Sequence, residues 1–185
     1  MSRRTKLIIL ALFLVLLAIP TAYLALTWSP DNPLRFRLVS QKISVDDPFK
    51  HLSMQVEVQN TESVAIYLNE VEFSARWKPG ASGDTVLPVF AQRLLLHESG
   101  SPAHWPYIIA PNSSHQFTTG VDGYDEKTVD MDSAEIRYEF RSDSKHCATE
   151  LYDRIFRHIP ESIGQHIPRP SLDNAAAAPL EQPSK

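Results

Sequence analysis

An uncharged run of twenty-two residues, Leu7–Trp28, constrains this chain more than any other feature. As an α-helix rising 1.5 Å per residue the run would be about 33 Å long, enough to cross a hydrocarbon core of about 30 Å. No other stretch of the sequence is comparably apolar. We therefore expect residues 1–28 to form a single-pass transmembrane signal-anchor, from which the rest of the chain hangs as one hydrophilic body.

The basic residues beside this run predict its orientation. Arg3, Arg4 and Lys6 precede it, and the first acidic residue is Asp31. Because loops that carry an excess of Lys and Arg stay in the cytoplasm, the N-terminus is expected there. The body is then expected on the extracytoplasmic side, either periplasmic or extracellular.

Two other interpretations of the N-terminus remain open. The segment Leu7–Ile19 has the length of the apolar region of a cleaved signal peptide, but no A-x-A cleavage site follows it, and apolar character continues to Trp28. Residues 2–4 also resemble the start of a twin-arginine export signal, although Lys6 occupies a position where that signal needs an apolar residue. The uncleaved anchor is the favoured interpretation.

Charge and cysteine content restrict the function classes. Removing the three N-terminal basic residues leaves 15 basic against 22 acidic residues in the body, a net charge of −7. An acidic body lacks the basic surface that nucleic acids require, so no nucleic-acid partner is expected. The single cysteine, Cys147, excludes an intramolecular disulfide. We expect it to be buried within a helix, with pairing between chains or attachment of a lipid as the alternatives.

Alternating apolar and polar residues predict a mainly β domain over residues 34–143, after a Pro-rich linker at 29–33. The predicted strands, in chain order, are Leu34–Val45, Leu52–Gln59, Val64–Leu68, Val71–Trp77, Val86–Phe90, His115–Val121 and Ala134–Phe140. Ala91–His97 fits either a strand or a helical turn. Short strands at spacings near ten residues are typical of an antiparallel, immunoglobulin-like or fibronectin-III-like β-sandwich.

After the predicted last strand the apolar period changes. Residues 144–167 are expected to contain an amphipathic helix, Cys147–Ile159, that ends before Pro160. Residues 168–185, with an alanine run at 175–178, show no pattern and are expected to be a disordered tail.

The segment Leu52–Trp77, which contains VEVQNTESVAIYLNEVEFSARW, resembles the LEA type 2 (water-stress and hypersensitive response) domain family. The shared pattern is an alternating strand ending in an asparagine, here Asn60, then a short turn and two more alternating strands. IIAPNSSHQF, at Ile108–Phe117, is similar to an element that precedes a late strand in such domains. The resemblance implies a β-sandwich related to immunoglobulin and fibronectin III domains. It implies no active site.

No motif for catalysis or cofactor binding is present. None of the seven histidines forms a tight metal-binding pair with another histidine, and His146-Cys147 are adjacent, which directs their side chains apart on a helix. The sequence also lacks G-x-S-x-G and S-x-x-K, and the acidic segment 120–132 does not match a calcium loop. We therefore expect no enzyme activity, no metal and no cofactor.

The leading hypothesis is an accessory or scaffolding subunit of a membrane protein assembly, anchored by its N-terminal helix and binding protein partners. The alternative is a stand-alone module on the outer side of the membrane that binds a small ligand or a surface polymer. Candidate contact residues for the two hypotheses are Tyr152, Phe156 and Ile159 on the late helix and Trp77, Trp105 and Tyr107 in the body.

Overall fold

The computed structural model describes residues 2–44, 51–78, 89–98, 106–168 and 171–183. It is mainly β, with an apolar helix at the N-terminus. The helices are α1 (Arg3–Thr27), α2 (Asp143–Phe156) and α3 (Glu161–Gly164). The strands are β1 (Leu34–Ser44), β2 (His51–Asn60), β3 (Ile66–Trp77), β4 (Val89–Arg93), β5 (His97–Glu98), β6 (Tyr107–Ile109), β7 (Ser114–Asp122), β8 (Val129–Ser142) and β9 (Asn174–Glu181).

Within the described ranges these strands form one curled sheet in the order β4-β3-β8-β9-β1-β2-β7-β5, and β6 also pairs with β3. The curl follows from the short connection between β4 and β5. These strands are separated only by residues 94–96, yet β4 pairs with β3 at one end of the order and β5 with β7 at the other. The two ends of the sheet must therefore lie close together.

The core fills the inside of this curl. The predicted inward positions of the first strands are confirmed: Leu34, Phe36 and Leu38 on β1 are buried, as are their counterparts on β2. The ring of Phe36 packs 5.1 Å from that of Tyr138 on β8. Burial raises the pKa of the Tyr138 hydroxyl to about 12, although the backbone N–H of Leu34 donates to its oxygen at 3.4 Å.

Strand β3 is continuous where the sequence predicts two strands. A register shift against β8 falls between Leu68 and Glu70, which marks a β-bulge at Asn69. A bulge adds one residue to a strand and re-aims a side chain without ending the pairing. The pair Asn69-Glu70 therefore bends the strand rather than separating two strands.

The most consequential correction concerns the C-terminal tail. The prediction of disorder for residues 168–185 was wrong for β9, and Ala134–Phe140 belongs to a strand that is not the last. β9 runs antiparallel to β8 through six residue pairs and parallel to β1 through Phe36–Leu180 and Arg37–Glu181. Ala178 and Leu180 are buried. The tail thus joins the two halves of the sheet.

The structure also bears on the predictions for Ala91–His97 and for the late helix. The segment Ala91–His97 is a strand as far as Arg93, has no regular structure at residues 94–96 and enters β5 at His97, so it contains no helical turn. The predicted late helix ends at Phe156, before Ile159, and Cys147, expected to be buried, is exposed. The end of the first strand at Val45 and residues 86–88 of a predicted edge strand lie outside the described residues.

Candidate functional site

The end of α1 lies against the body and provides the most informative site in the molecule. α1 is uncharged from Leu7 to its end, and one 18-residue window has a mean hydropathy of 2.7, with none of that window buried. The helix is therefore long and apolar enough to span a membrane, although a signal sequence would meet the same criteria. Ser2 caps its first turn by accepting a hydrogen bond from the Thr5 N–H.

The last residue of α1 is hydrogen-bonded to the first turn of α2. The Thr27 hydroxyl donates to the Tyr23 carbonyl at 2.8 Å, so the Ser144 hydroxyl must be the donor in its 2.7 Å hydrogen bond with Thr27. Ser142, which caps α2, donates through its hydroxyl to the Trp28 carbonyl at 2.9 Å. We call Thr27, Trp28, Ser142, Ser144, Lys145 and Asn174 the junction cluster.

Lys145 is the one charged group in this cluster, and its side chain is buried. Its ammonium lies 5.8 Å from the centroid of the Trp28 ring and donates to Asn174 Oδ1 at 2.5 Å. Burial lowers the pKa of the Lys145 ammonium, because it disfavours the charged form, while the Asp173 carboxylate acts in the opposite direction. The aromatic face and the amide oxygen compensate in part for the water that the ammonium has lost.

An ion pair adjoins the cluster. The guanidinium of Arg141 donates to both carboxylate oxygens of Asp173, at 2.6 and 3.1 Å, and Asn69 Nδ2 donates to the same carboxylate at 2.5 Å. The hydrogen bond to Asp173 raises the pKa of Arg141 despite partial burial. The bulge in β3 thus has a structural role, because it places Asn69 against the start of the tail strand.

These contacts hold elements together and supply no nucleophile with an adjacent base. They join the end of α1, the end of β8, the start of α2 and the start of β9 at one place. In the ranges that the structure describes, no group of three or more His, Cys, Asp or Glu side chains could hold a metal ion. The junction is therefore suited to fixing the direction of the body relative to α1.

Helix α2 has an inward face and an outward face. On the inward side His146 stacks on Tyr67 at 3.7 Å, and the rings of Tyr152 and Phe156 stack on each other at 5.5 Å. The outward side carries Cys147, Leu151 and Ile155, and the two aliphatic side chains are 58% and 56% exposed.

The predicted contact residues of α2 therefore lie away from its most exposed face. Tyr152 and Phe156 are half-buried, and the Tyr152 hydroxyl donates to the Pro168 carbonyl at 3.4 Å. Ile159 lies beyond the end of the helix and is also half-buried. Leu151 and Ile155 belong to the apolar positions of the predicted helix Cys147–Ile159, but periodicity alone does not distinguish the outward face from the inward one.

The predicted aromatic contacts in the body pack against other aromatic rings. Tyr107 is buried against Phe117, with ring centroids 5.0 Å apart, and its hydroxyl donates to the Leu96 carbonyl. Trp77 is half-buried and meets Phe90 edge-on at 5.6 Å. Trp105 lies outside the described residues.

Comparisons with known proteins add little. No protein-family model and no curated protein matches the chain. Among solved structures, the X-ray structure of the Northeast Structural Genomics Consortium target SoR45 is similar over 63% of this chain and 79% of that chain, with 18% sequence identity and a TM-score of 0.35. Neither a fold nor a function transfers at that level of similarity.

Proposed function

We propose that this protein is a non-enzymatic accessory or scaffolding subunit of a membrane protein assembly. α1 serves as an uncleaved anchor with its N-terminus in the cytoplasm, and the β-rich body lies on the extracytoplasmic side. We propose further that the curled sheet of the body is a form of the immunoglobulin-like or fibronectin-III-like sandwich, as the resemblance of residues 52–77 to the LEA type 2 family implies.

The observation that carries the proposal is the junction between α1 and the body. A segment that is cleaved after export has no need of specific contacts with the mature domain. Here Thr27 and Trp28 accept hydrogen bonds from Ser144 and Ser142, and Lys145 lies over the Trp28 ring. Such contacts favour a retained helix that holds the body in a set direction, as a subunit that docks through both parts requires.

The stand-alone ligand-binding alternative is less well supported. It relied on Trp77, Trp105 and Tyr107 as surface aromatic contacts. Tyr107 is buried, and Trp77 packs on Phe90, so neither ring offers an open face comparable with the aromatic platforms that bind polymers.

The test is purification of the full-length protein from its native membrane in a gentle detergent, read by native mass spectrometry. The matched variant replaces residues 7–26 with an alternating Leu/Ala sequence and retains Thr27 and Trp28, so that anchoring and the junction persist. We expect the native chain to co-purify with defined subunits and the variant to lose some or all of them. A native chain that always runs alone would contradict the proposal.

The same preparation tests whether α1 is a signal peptide that is cleaved. If α1 is an anchor, the intact mass of the mature protein includes residues 7–28. A mass that corresponds to a chain beginning after Trp28 would show that α1 is cleaved. It would exclude the anchor and the proposal of a subunit that docks through this helix.

A further inference from the structure

The outward face of α2 is exposed in the described parts of the chain. Leu151 and Ile155 are each more than half exposed, and Cys147 lies one turn before them on the same side. Spacings of four residues bring these three side chains into one stripe, because i and i+4 are neighbours on a helix surface. We call Cys147, Leu151 and Ile155 the apolar stripe.

The direction of the stripe follows from the position of Ser144. Leu151 and Ile155 are seven and eleven residues after Ser144, and at 3.6 residues per turn all three lie within about 40° on the helix surface. The Ser144 hydroxyl is the group that meets Thr27 at the end of α1. The side of α2 that carries the apolar stripe is therefore the side from which α1 departs.

Sides of α2 that oppose or adjoin the apolar stripe are attached to the body, which fixes the rotation of α2 about its own axis. His146, on the opposite side, stacks on Tyr67, and Tyr152, on an adjoining side, donates to Pro168. Phe156 lies against Gly164, so that an added Cβ there would sit 3.2 Å from its ring. Turning the stripe away from α1 would break these contacts.

We propose that α2 lies at the membrane interface, with its apolar stripe in the boundary between headgroups and acyl chains of the bilayer that α1 spans. This rests on the proposed retention of α1 as an anchor. The side of α2 that carries the stripe meets the end of α1 through the hydrogen bond between Ser144 and Thr27, and interfacial helices bury one apolar face in the boundary between headgroups and acyl chains. Trp28, at the end of α1 and 37% exposed, is of the residue type that favours this level of the bilayer.

Charge identifies the kind of lipid. The exposed charged side chains of α2 are Glu150, Asp153 and Arg154, with Arg157 just beyond its end. Two acids and two bases cancel, so this surface has no attraction for anionic headgroups. The expected occupant is a zwitterionic bilayer surface, held by apolar contact.

The native cysteine gives a direct test, because Cys147 is the only cysteine in the chain and lies on the stripe. The full-length protein is reconstituted in phosphatidylcholine vesicles with a nitroxide on Cys147. Further labels are placed singly in a Cys147→Ser background, as Leu151→Cys and Ile155→Cys on the stripe and as Asp153→Cys and Ile108→Cys for comparison. Ile108 is an exposed apolar residue of β6, at 57%.

Collision rates with oxygen, which concentrates in lipid, and with a water-soluble nickel chelate then report depth. Labels at the three stripe positions are expected to collide more with oxygen than with the chelate, and the two comparison labels to show the reverse. The same water-exposed signal at all five positions would overturn the proposal.

Two further outcomes are distinguished. A Leu14→Cys label in α1 reports anchoring separately: loss of its lipid signal means that α1 is not in the bilayer, which contradicts the anchor on which the proposal rests. Stripe labels that are water-exposed in pure lipid but immobilised in the native assembly would identify a protein occupant and overturn the lipid one.

Discussion

Replacement of Leu180 by alanine tests whether the tail strand is part of the folded body. Leu180 is 4% exposed, and in the register of β9 with β1 it lies opposite Phe36, which is 1% exposed. If residues 168–185 were a disordered tail, the substitution would have almost no effect on stability. In the structure the same change removes a side chain from the core at the place where β9 joins the two halves of the sheet.

The burial of Leu180 determines how much the free energy of unfolding should fall. Leucine has three more carbon atoms than alanine, and at about 0.8 kcal/mol for each buried methylene the transfer cost alone is about 2.4 kcal/mol. Leucine-to-alanine changes in cores span about 2–5 kcal/mol, and the high values come from rigid sites that cannot close around the cavity. Leu180 is next to the last residue of β9, where the chain can relax. We expect a loss of about 2–3 kcal/mol.

The assay is urea unfolding of the detergent-solubilised full-length protein, followed by the far-ultraviolet circular dichroism of the sheet. Leu95→Ala is the matched control, because it makes the same chemical change at a side chain that is 61% exposed. Surface substitutions of that kind usually stay within about 0.5 kcal/mol. The midpoint for Leu180→Ala should fall with an unchanged denaturant slope. Equal midpoints for Leu180→Ala and Leu95→Ala would refute the packing of β9.

Three other changes probe the body and its junction. Asn60→Ala should lower the free energy of unfolding by about 3 kcal/mol or more. The buried amide donates to the carbonyl of Val64 and to other carbonyls, and each polar group left without a partner costs about 1–3 kcal/mol. The same unfolding assay measures this loss. Asp173→Asn should cost about 1–2 kcal/mol by weakening its pair with Arg141, and it should do so less in an Arg141→Met background, as a double-mutant cycle would show. The pKa of Tyr138, raised from 10 to about 12, means that the unfolded state ionises first. Stability should therefore decline as pH rises from about 10 to about 12, and Tyr138→Phe should lessen that decline.

The sequence predicted those parts of the fold in which local pattern and burial agree. In β1 as far as Leu38 and in β2 from Leu52 to Val58 every second residue is apolar and buried, so the alternation identifies both the strand and its inward face. The apolar character of α1 is equally local. These elements need no knowledge of distant residues.

β9 could not be predicted in this way. Alanine is depleted in strands, and Pro179 interrupts the segment, so residues 174–181 have weak local preference for a strand. Their conformation comes from pairing with β8 and β1, which are distant in sequence. Propensity was overridden by tertiary context.

The outward face of α2 could not be predicted from the sequence for a different reason. Cys147, Leu151 and Ile155 lie on one side and Tyr152 and Phe156 on the adjoining side, so the apolar arc of this helix is broad. The periodicity of the sequence predicts the apolar arc of α2, but it does not show which half of that arc packs against the body. The ion pair between Arg141 and Asp173 could not be predicted either, because polar contacts between segments distant in sequence produce no periodic pattern.

The tail strand and the anchor are physically linked through Asn174, the first residue of β9. Its side-chain oxygen accepts hydrogen bonds from Lys145 at 2.5 Å and from the Ser29 hydroxyl at 3.4 Å. Ser29 follows the end of α1, and Lys145 lies in the first turn of α2. Undocking β9 would remove this acceptor and the Asp173 carboxylate beside it, which would leave the buried Lys145 ammonium to be compensated by the Trp28 ring. The direction of the body relative to α1 therefore depends on whether the sheet is joined by its last strand.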